Sequence, residues 1–565
     1  MQWGSDAVAA VIRELGFEYI ALVPGSSFAG LHDSLVNYLA QDPPLLVCLH
    51  EEHAVGIAHG YARVTGKPML AILHSNVGLM HATMAFFSAW CDRMPVVVIG
   101  ANGPLDARQR RPWIDWIHSA RDPAAMIRSY TKWDDMPMSV EAAVDSMMRA
   151  TQLACTPPMG AAYVVLDMAD QDRELAAPVA LPDKRRLAPP ELPGPTPADV
   201  ERVHAFVRAA ERPLLVIGRC SRDLDAWNAR IALAEALNAR VITDFKVGAS
   251  FPTDHPLHVG LPAVRAMGEQ LEVVRSADLI ISLESVDLGG MLKRAFGTGS
   301  VPPRIVNVSL DRYVTNGWSF DHQAQPPADL DLPLAHELLV PALLQALQVP
   351  DRTTRPAHAV VSDAVGLDAG PIGLAAFAAA LEAELAGIEH SYSRLPLGYN
   401  EGAPFVFRHP LDYLGGDGGA GVGIGPSLAI GAALALRGSG RLAVGVLGDG
   451  DYLMGVQAIW TAVKYEIPVL IVICNNRCYY NDVVAGEAMA IRRKRPVENK
   501  WAGQMIDEPA PDLAALARAQ GAEGIGPVTD IPSLRDALRQ GICSVQEGKV
   551  FVIDVVVDPE LDKRR

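Results

Sequence analysis

The chain lacks any apolar run near the ~20 residues that a membrane-spanning helix needs, so we expect no membrane partner. Basic residues are in deficit, with 49 Lys and Arg against 65 Asp and Glu, giving a net charge of −16. This balance disfavours nucleic acid as a partner. The seven cysteines are scattered, unlike the disulfide framework of a secreted protein, and the first residues lack the pattern of a signal peptide. We therefore expect a cytoplasmic protein.

What the chain does contain is a regular alternation of short apolar strands with helices, in three segments. At 565 residues it is too long for a single core. We expect domains at 1–175, 198–350 and 372–565, joined by linkers at 176–197 and 351–371. The alternation predicts an α/β fold with three doubly wound parallel-sheet domains. Ligands of such sheets bind at the carboxyl ends of strands.

The most informative stretch joins two strands of the third segment. Gly448, Asp449 and Gly450 follow an apolar strand; about four turns of predicted helix come next, and a second strand ends in Asn475 and Asn476. A right-handed crossover brings both strand ends to one sheet edge. The glycines allow close approach of a phosphate, and carboxylate, amide and diphosphate oxygens are ligands that Mg²⁺ prefers. A lone GDG indicates only a turn, but with the Asn pair it predicts a metal–diphosphate site.

A second polar group, His50-Glu51-Glu52-His53, closes the second strand and opens a helix. A carboxylate at a strand end beside apolar helix residues is partly desolvated, which suits proton exchange with a heteroaromatic nitrogen. Taken alone, the two glutamates are better explained by the positive end of the helix dipole. This stretch by itself therefore does not establish a catalytic carboxylate.

The His50-Glu51 pair, followed by Tyr61-Ala62-Arg63, and the GDG–NN unit together resemble the cofactor motifs of one superfamily. It is the thiamine-diphosphate-dependent 2-oxoacid decarboxylase and acetohydroxyacid synthase superfamily, and the resemblance covers nearly the whole chain. It implies pyrimidine-binding, central and diphosphate-binding domains in that order. It also implies thiamine diphosphate and Mg²⁺ as cofactors, leaves FAD in the central domain not excluded, and implies a homodimer or homotetramer.

The resemblance implies a role for each matched residue. Glu51 would bond the aminopyrimidine ring and promote formation of the ylid, with Glu52 as the weaker candidate. Val422 stands where the family places a bulky residue between the two cofactor rings. The implied cofactor contacts are Glu51, Ala420, Val422, Gly448, Gly450 and Asp451. The implied metal ligands are Asp449, Asn476 and the backbone carbonyl of Cys478.

Ser26 and His74 favour benzoylformate decarboxylase-like members. Ser26 follows the first strand, where that enzyme places a serine that binds the substrate carboxylate. His74 lies in a matching Leu-His-Ser sequence at the end of the third strand, and it could protonate or orient an intermediate because imidazole titrates near neutrality. A lone histidine is also explained by a capping or core role. His81 and Phe87, on the following helix, are expected to be core residues.

The expected activity is that of a lyase that decarboxylates a 2-oxo acid, or cleaves and forms C–C bonds in related acyl or aldehyde compounds, through a ylid and an enamine. One alternative is an acetohydroxyacid synthase-like transferase. A second is a 2-hydroxyacyl-CoA lyase-like enzyme, since Arg108, Arg110 and Arg111 could receive an anionic substrate. A non-catalytic scaffold is disfavoured because Glu51 and Asp449 are both present.

Overall fold

The structure is a computed structural model that describes residues 1–260, 268–314, 325–349, 370–396, 405–416 and 418–561. These residues form three parallel sheets covered by helices, which confirms the expected α/β class. One compact unit contains the first and third sheets, and a second contains the central sheet together with residues 405–416. None of the helices in the described ranges combines the length and hydropathy that a membrane crossing requires.

The first sheet has six parallel strands in the order β2-β1-β3-β4-β6-β5. Its strands are β1 (Ile20–Leu22), β2 (Leu45–Val47), β3 (Met69–Ile72), β4 (Val96–Asn102), β5 (Trp133–Asp135) and β6 (Ala161–Asp167). Its helices are α1 (Gly4–Leu15), α2 (Ala29–Asp33), α3 (Glu51–Thr65), α4 (Ser75–Asp92), α5 (Ile114–Ile117), α6 (Val140–Cys155) and α7 (Met168–Gln171). All seven residues of β4 and of β6 are buried, as continuous apolar runs between two helical layers predict.

The central sheet also has six parallel strands, in the order β12-β11-β10-β7-β8-β9. Its strands are β7 (Pro213–Ile217), β8 (Arg240–Thr243), β9 (His258–Gly260), β10 (Leu279–Leu283), β11 (Arg304–Val308) and β12 (Leu330–Leu332). Its helices are α8 (Pro197–Ala209), α9 (Leu224–Leu237), α10 (Glu269–Ser276), α11 (Leu288–Phe296) and α12 (His336–Ala346). The strand order reverses between β7 and β10, as in a doubly wound sheet.

The third sheet has five parallel strands in the order β13-β14-β15-β17-β16. Its strands are β13 (His390–Arg394), β14 (Leu442–Gly448), β15 (Val469–Asn475), β16 (Glu523–Val528) and β17 (Val550–Val556). Its helices are α13 (Leu374–Leu385), α14 (Gly425–Ala435), α15 (Asp449–Gly455), α16 (Ala458–Lys464), α17 (Tyr480–Arg492), α18 (Leu513–Ala519) and α19 (Ile531–Gln546).

The expectation of one four-turn helix after Gly450 is wrong, since α15 and α16 replace it. Gly455 ends α15 where the backbone of Gly423 passes so closely that a Cβ on residue 455 would overlap the carbonyl oxygen of residue 423. Glycine is also a poor residue for a helix interior. The helix therefore breaks where the glycine-rich loop before α14, residues 418–424, packs against Gly455.

Helices α3 and α14 cross with their backbones in close contact. A Cβ on Gly60 would overlap the carbonyl oxygen of Leu428, and a Cβ on Gly431 would overlap the carbonyl oxygen of Ile57. Only glycine allows such an approach. This crossing joins the first and third sheets within one unit and fixes the helix that begins with Glu51.

A buried charged group joins the last turn of α3 to the end of α4. The Asp92 carboxylate contacts the Arg63 guanidinium, with Nε at 3.1 Å, and His59 Nε2 at 2.9 Å. Burial would raise the pKa of Asp92, but Arg63 and His59 hold it below its usual range. Because a buried charge needs a partner, these three side chains tie the two helices together.

Candidate active site

Glu51 is the first residue of α3, directly after the cap residue His50. The residue is 7% exposed, and its Oε2 lies 2.9 Å from Nδ1 of His81 on α4. A Cβ on Gly78 would stand 3.1 Å from Cγ of Glu51, so the glycine lets α4 pass close to the carboxylate. Glu51, rather than Glu52, therefore faces α4. The assignment of His81 to the core is wrong, because its side chain is 51% exposed and bonds the glutamate.

His81 and His50 lie beside Glu51, and His53 lies next to His50. The His50 ring stacks on the His81 ring at 4.9 Å and lies 5.3 Å from the His53 ring. Burial lowers the pKa of His53 to about 3, and His50 adds to this effect. Burial and then His81 also lower the pKa of His50. His50 and His53 are thus neutral at pH 7, and neither places a positive charge beside the Glu51 carboxylate.

The ligand atoms of His50, Glu51 and His81 lie within 4.8 Å of one another. Two imidazoles and one carboxylate suit a transition metal or Zn²⁺ better than Mg²⁺, which prefers oxygen ligands. The oxygen donors expected for Mg²⁺ lie in the third sheet instead.

His74 precedes α4 as its cap residue. Its Nδ1 lies 2.8 Å from Oγ of Ser27, and its Nε2 lies 3.2 Å from Nδ1 of His118. Ser27 is 1% exposed, whereas the expected substrate residue, Ser26, is exposed beside it. A Cβ on Gly25 would lie 2.5 Å from the His74 side chain, so this turn requires glycine. Ser27 and His118 were not among the residues expected from the sequence.

Asp449 and Asn476 follow strands that are paired in the sheet, since Gly448 of β14 lies opposite Cys474 of β15. The Asp449 side chain is 4% exposed, and its Oδ1 accepts a 2.9 Å hydrogen bond from the Gly450 amide. Its Oδ2 is buried and has no hydrogen-bond partner among the described residues. Burial raises the pKa of Asp449 to about 6, partly offset by nearby backbone amides. A buried carboxylate oxygen without a donor is the environment expected of a cation ligand.

The chain after β15 turns back on itself beside Asp449. Oδ1 of Asn476 accepts a 3.1 Å hydrogen bond from the Cys478 amide. The preceding Asn475 donates from Nδ2 to Oδ1 of Asp554 on β17 at 2.9 Å. A cavity of about 170 Å³ opens here, lined in part by Asp449, Asn475 and Asp554. The donor set of carboxylate, amide and backbone oxygens fits a hard divalent cation such as Mg²⁺.

The glycine-rich loop before α14 lies against α4. A Cβ on Gly419 would lie 2.5 Å from the Phe87 ring, and a Cβ on Gly421 would lie 2.5 Å from Cε of Met84. Phe87 is half-buried and packs on this loop. Ala420 has a left-handed φ of 59°, and Val422 is 44% exposed. The two implied cofactor contacts thus stand on a loop that touches the helix carrying His81.

The Asp451 side chain holds this loop through hydrogen bonds. Its Oδ1 accepts hydrogen bonds from the amides of Gly423 at 2.6 Å and Gly425 at 3.3 Å. Its Oδ2 pairs with Arg394 of β13. Both oxygens therefore bond the protein, so the contact of Asp451 with a cofactor stays a prediction while its role in holding the loop is direct.

The fold and these polar groups define a three-domain α/β enzyme with a buried carboxylate, Glu51, at one helix start and a second, Asp449, at the carboxyl edge of the third sheet. Three family models match the chain in order. They are the thiamine pyrophosphate enzyme N-terminal TPP binding domain at 2–126, the central domain at 200–312, and the C-terminal TPP binding domain at 400–555. Together they cover more than half of the sequence. The chain belongs to the thiamine pyrophosphate enzyme family.

Individual relatives share the whole length of the chain at low identity. Benzoylformate decarboxylase of Pseudomonas aeruginosa is 24% identical over 97% of this chain and 98% of its own. Acetolactate synthase of Bacillus subtilis is 23% identical over 98% of this chain and 93% of its own. Among solved structures, a thiamine diphosphate-dependent 4-hydroxybenzoylformate decarboxylase of Rhodococcus jostii RHA1 superposes with a TM-score of 0.78 at 22% identity, covering 99% of both chains.

Proposed function

We propose that the protein is a thiamine-diphosphate- and Mg²⁺-dependent lyase that decarboxylates a 2-oxo acid. The observation that carries the proposal is the pair of buried carboxylates: Glu51 at the start of α3, and Asp449, whose Oδ2 has no partner within the described part of the chain. Thiamine diphosphate, when bound, supplies a nucleophilic carbon and an electron sink. Asp449, Asn476 and the Cys478 carbonyl would hold Mg²⁺ and, through it, the diphosphate.

The chain's own residues would handle the protons. Glu51 would exchange a proton between its carboxylate and a ring nitrogen of the cofactor, while His81, 2.9 Å away, orients the carboxylate. His74, held by Ser27, would stabilise or protonate the reacting atoms derived from the substrate. Ser26 is exposed beside this pair and would receive the substrate carboxylate. The decarboxylase relatives support a 2-oxo acid as substrate.

Acetolactate synthases among the relatives support a second candidate, the transfer of a two-carbon unit to another 2-oxo acid. A 2-hydroxyacyl-CoA lyase is also compatible with the arginines at 108, 110 and 111. We place the protein in the cytoplasm as a homodimer or homotetramer, in keeping with the oligomers that the resemblance implies.

Calorimetry tests the metal–cofactor site. Asp449→Ala should abolish the joint binding of thiamine diphosphate and Mg²⁺, and Asn476→Ala should weaken it severely, because each removes an oxygen ligand. Asp536→Ala is the matched control, since Asp536 is an exposed carboxylate on α19 paired with Arg539. Unchanged cofactor affinity in Asp449→Ala would overturn the metal assignment.

A substrate panel tests the reaction. Aliphatic and aromatic 2-oxo acids, 2-hydroxyacyl-CoA thioesters and pyruvate are offered separately, and products are identified by mass. We expect an aldehyde and CO₂ from a 2-oxo acid. Acetolactate as the dominant product would favour the transferase, and cleavage confined to the thioesters would favour the acyl-CoA lyase.

A further inference from the structure

A segment between β4 and β5 brings a second imidazole to His74. This segment, residues 111–120, is held at several points. Asp115, 1% exposed, bonds the Arg111 guanidinium at 2.8 Å. Asn102, at the end of β4, makes hydrogen bonds of 2.8 and 2.9 Å with the backbone of Ala120. Nδ2 of Asn76 donates to the Ile117 carbonyl at 3.2 Å. The position of His118 is thus set by contacts with other elements.

The ring of His118 meets the ring of His74 edge-on, with centroids 4.6 Å apart and an interplanar angle of 89°. Both nitrogens of His74 are engaged, Nδ1 with Ser27 Oγ at 2.8 Å and Nε2 with His118 Nδ1 at 3.2 Å. Ser27 Oγ accepts a 3.1 Å hydrogen bond from the Ser75 amide, and we assign its hydroxyl proton to His74 Nδ1. With that assignment the His74 proton lies on Nε2, where it is donated to His118.

We infer that His118 is a positioning residue that, together with Ser27, fixes the ring orientation and the tautomer of His74. This inference rests on the proposed function, in which His74 faces the reacting atoms. An imidazole clamped at both nitrogens loses little rotational freedom on binding substrate and presents one defined protonation pattern.

Burial and the neighbouring side chains also shift the pKa of His74. Burial lowers the pKa of His74 most, His118 lowers it further and Arg111 adds a smaller effect, while Glu51 opposes them. Loss of His118 should therefore raise the pKa of His74 towards its ordinary value. This readout reports the contact itself and needs no substrate.

Two amide variants separate the hydrogen bond from the titratable charge. Asn at position 118 places an amide oxygen near the site of Nδ1 and can still accept from His74 Nε2, whereas Gln places its amide one bond further out, near the site of Nε2. His118→Gln should lower kcat on the order of 10-fold, the lower end of the range for loss of a group that orients a metal-bound histidine, with KM little changed. His118→Asn should keep a kcat close to that of wild type, because the orienting hydrogen bond is retained.

Diethylpyrocarbonate modifies neutral imidazoles, and mass spectrometry of the peptides gives the extent of modification of each histidine. The midpoint of its pH dependence reports the pKa of His74. In wild type the midpoint should lie below the ordinary value of an imidazole, and it should rise in both His118 variants because both remove the imidazole that lowers the pKa of His74. His204 on α8 is half-buried and serves as the internal reference, with an unchanged midpoint in every protein.

The outcomes are distinct. A higher His74 midpoint in both variants, with kcat lost only in His118→Gln, supports the inference. An unchanged midpoint, or equal loss of kcat in the Asn and Gln variants, overturns it. If the wild-type protein turns over no 2-oxo acid, the proposed function fails, and the His74 midpoint still decides whether His118 controls that imidazole.

Discussion

At the scale of single residues, Glu51 differs from Glu52 in facing two residues of α4. His81 bonds the Glu51 carboxylate at 2.9 Å, and Gly78 makes room for the same side chain. His81 lies about two turns into α4, the helix that His74 caps. A histidine on the helix that begins directly after an expected site residue is the signal in the sequence that would have placed His81 near the site.

Glu51→Gln should retain the fold and most of the affinity for thiamine diphosphate, but proton exchange at the cofactor should fall by about 10²–10⁴-fold, because an amide cannot take up and release the proton. Hydrogen–deuterium exchange at the thiazolium C2 of added thiamine diphosphate measures this step directly. Glu52→Gln is the matched control and should exchange at the wild-type rate. Exchange at the wild-type rate in Glu51→Gln would show that another residue performs this proton exchange.

At the scale of elements, the crossing of α3 and α14 holds the first and third sheets together within one unit. Gly60→Ala introduces a methyl group against the Leu428 carbonyl, and overpacking of this kind costs about 1–3 kcal/mol of unfolding free energy. Gly486 lies in the middle of α17, and a methyl group added there would meet no atom of a neighbouring described residue within 4 Å. Gly486→Ala should instead stabilise by about 0.4–1 kcal/mol. Urea midpoints should therefore move in opposite directions.

Apolar runs in the sequence predict twelve of the seventeen strands in the described part of the chain, and the five strands without such a run are all at sheet edges. Apolar runs predicted the interior strands, because a strand covered on both faces must be apolar throughout. The missed strands lie at the ends of the three sheet orders and are β5, β9, β12, β13 and β16. Residues of β16 are mostly exposed or half-buried, and those of β5 are half-buried throughout. The composition of these two strands therefore carries no continuous apolar signal, and β13, although mostly buried, consists of polar residues and one tyrosine.

The residues of the candidate site also fall into two groups: those that a local sequence pattern predicts and those that it does not. Glu51, His74 and Asp449 stand where a strand ends, and a local pattern predicts such positions. Ser27 and His118 contact His74 from positions 47 and 44 residues away. A contact between side chains of separate elements depends on tertiary packing, which no local spacing encodes. Which of the neighbouring residues Ser26 and Ser27 contacts His74 depends on the exact course of the turn after β1.

At the scale of the whole molecule, we propose that each site combines Glu51 of one subunit with Asp449 of its partner, the arrangement that the family resemblance implies. Glu51→Gln and Asp449→Ala homodimers should both be inactive. After complete subunit exchange in an equal mixture, half of the dimers contain both variants and one of their two sites is intact, so about a quarter of wild-type activity should return. Mass spectrometry verifies that the subunits have exchanged. If no activity returns after verified exchange, the whole site lies in one chain.

The buried group of His59, Arg63 and Asp92 has a consequence for how this protein diverges. Replacing Arg63 or Asp92 alone leaves an uncompensated charge between α3 and α4, which costs about 3–5 kcal/mol. Replacing His59 keeps that ion pair and removes only a hydrogen bond to Asp92. We therefore expect Arg63 and Asp92 to change together among related sequences, while position 59 varies more freely.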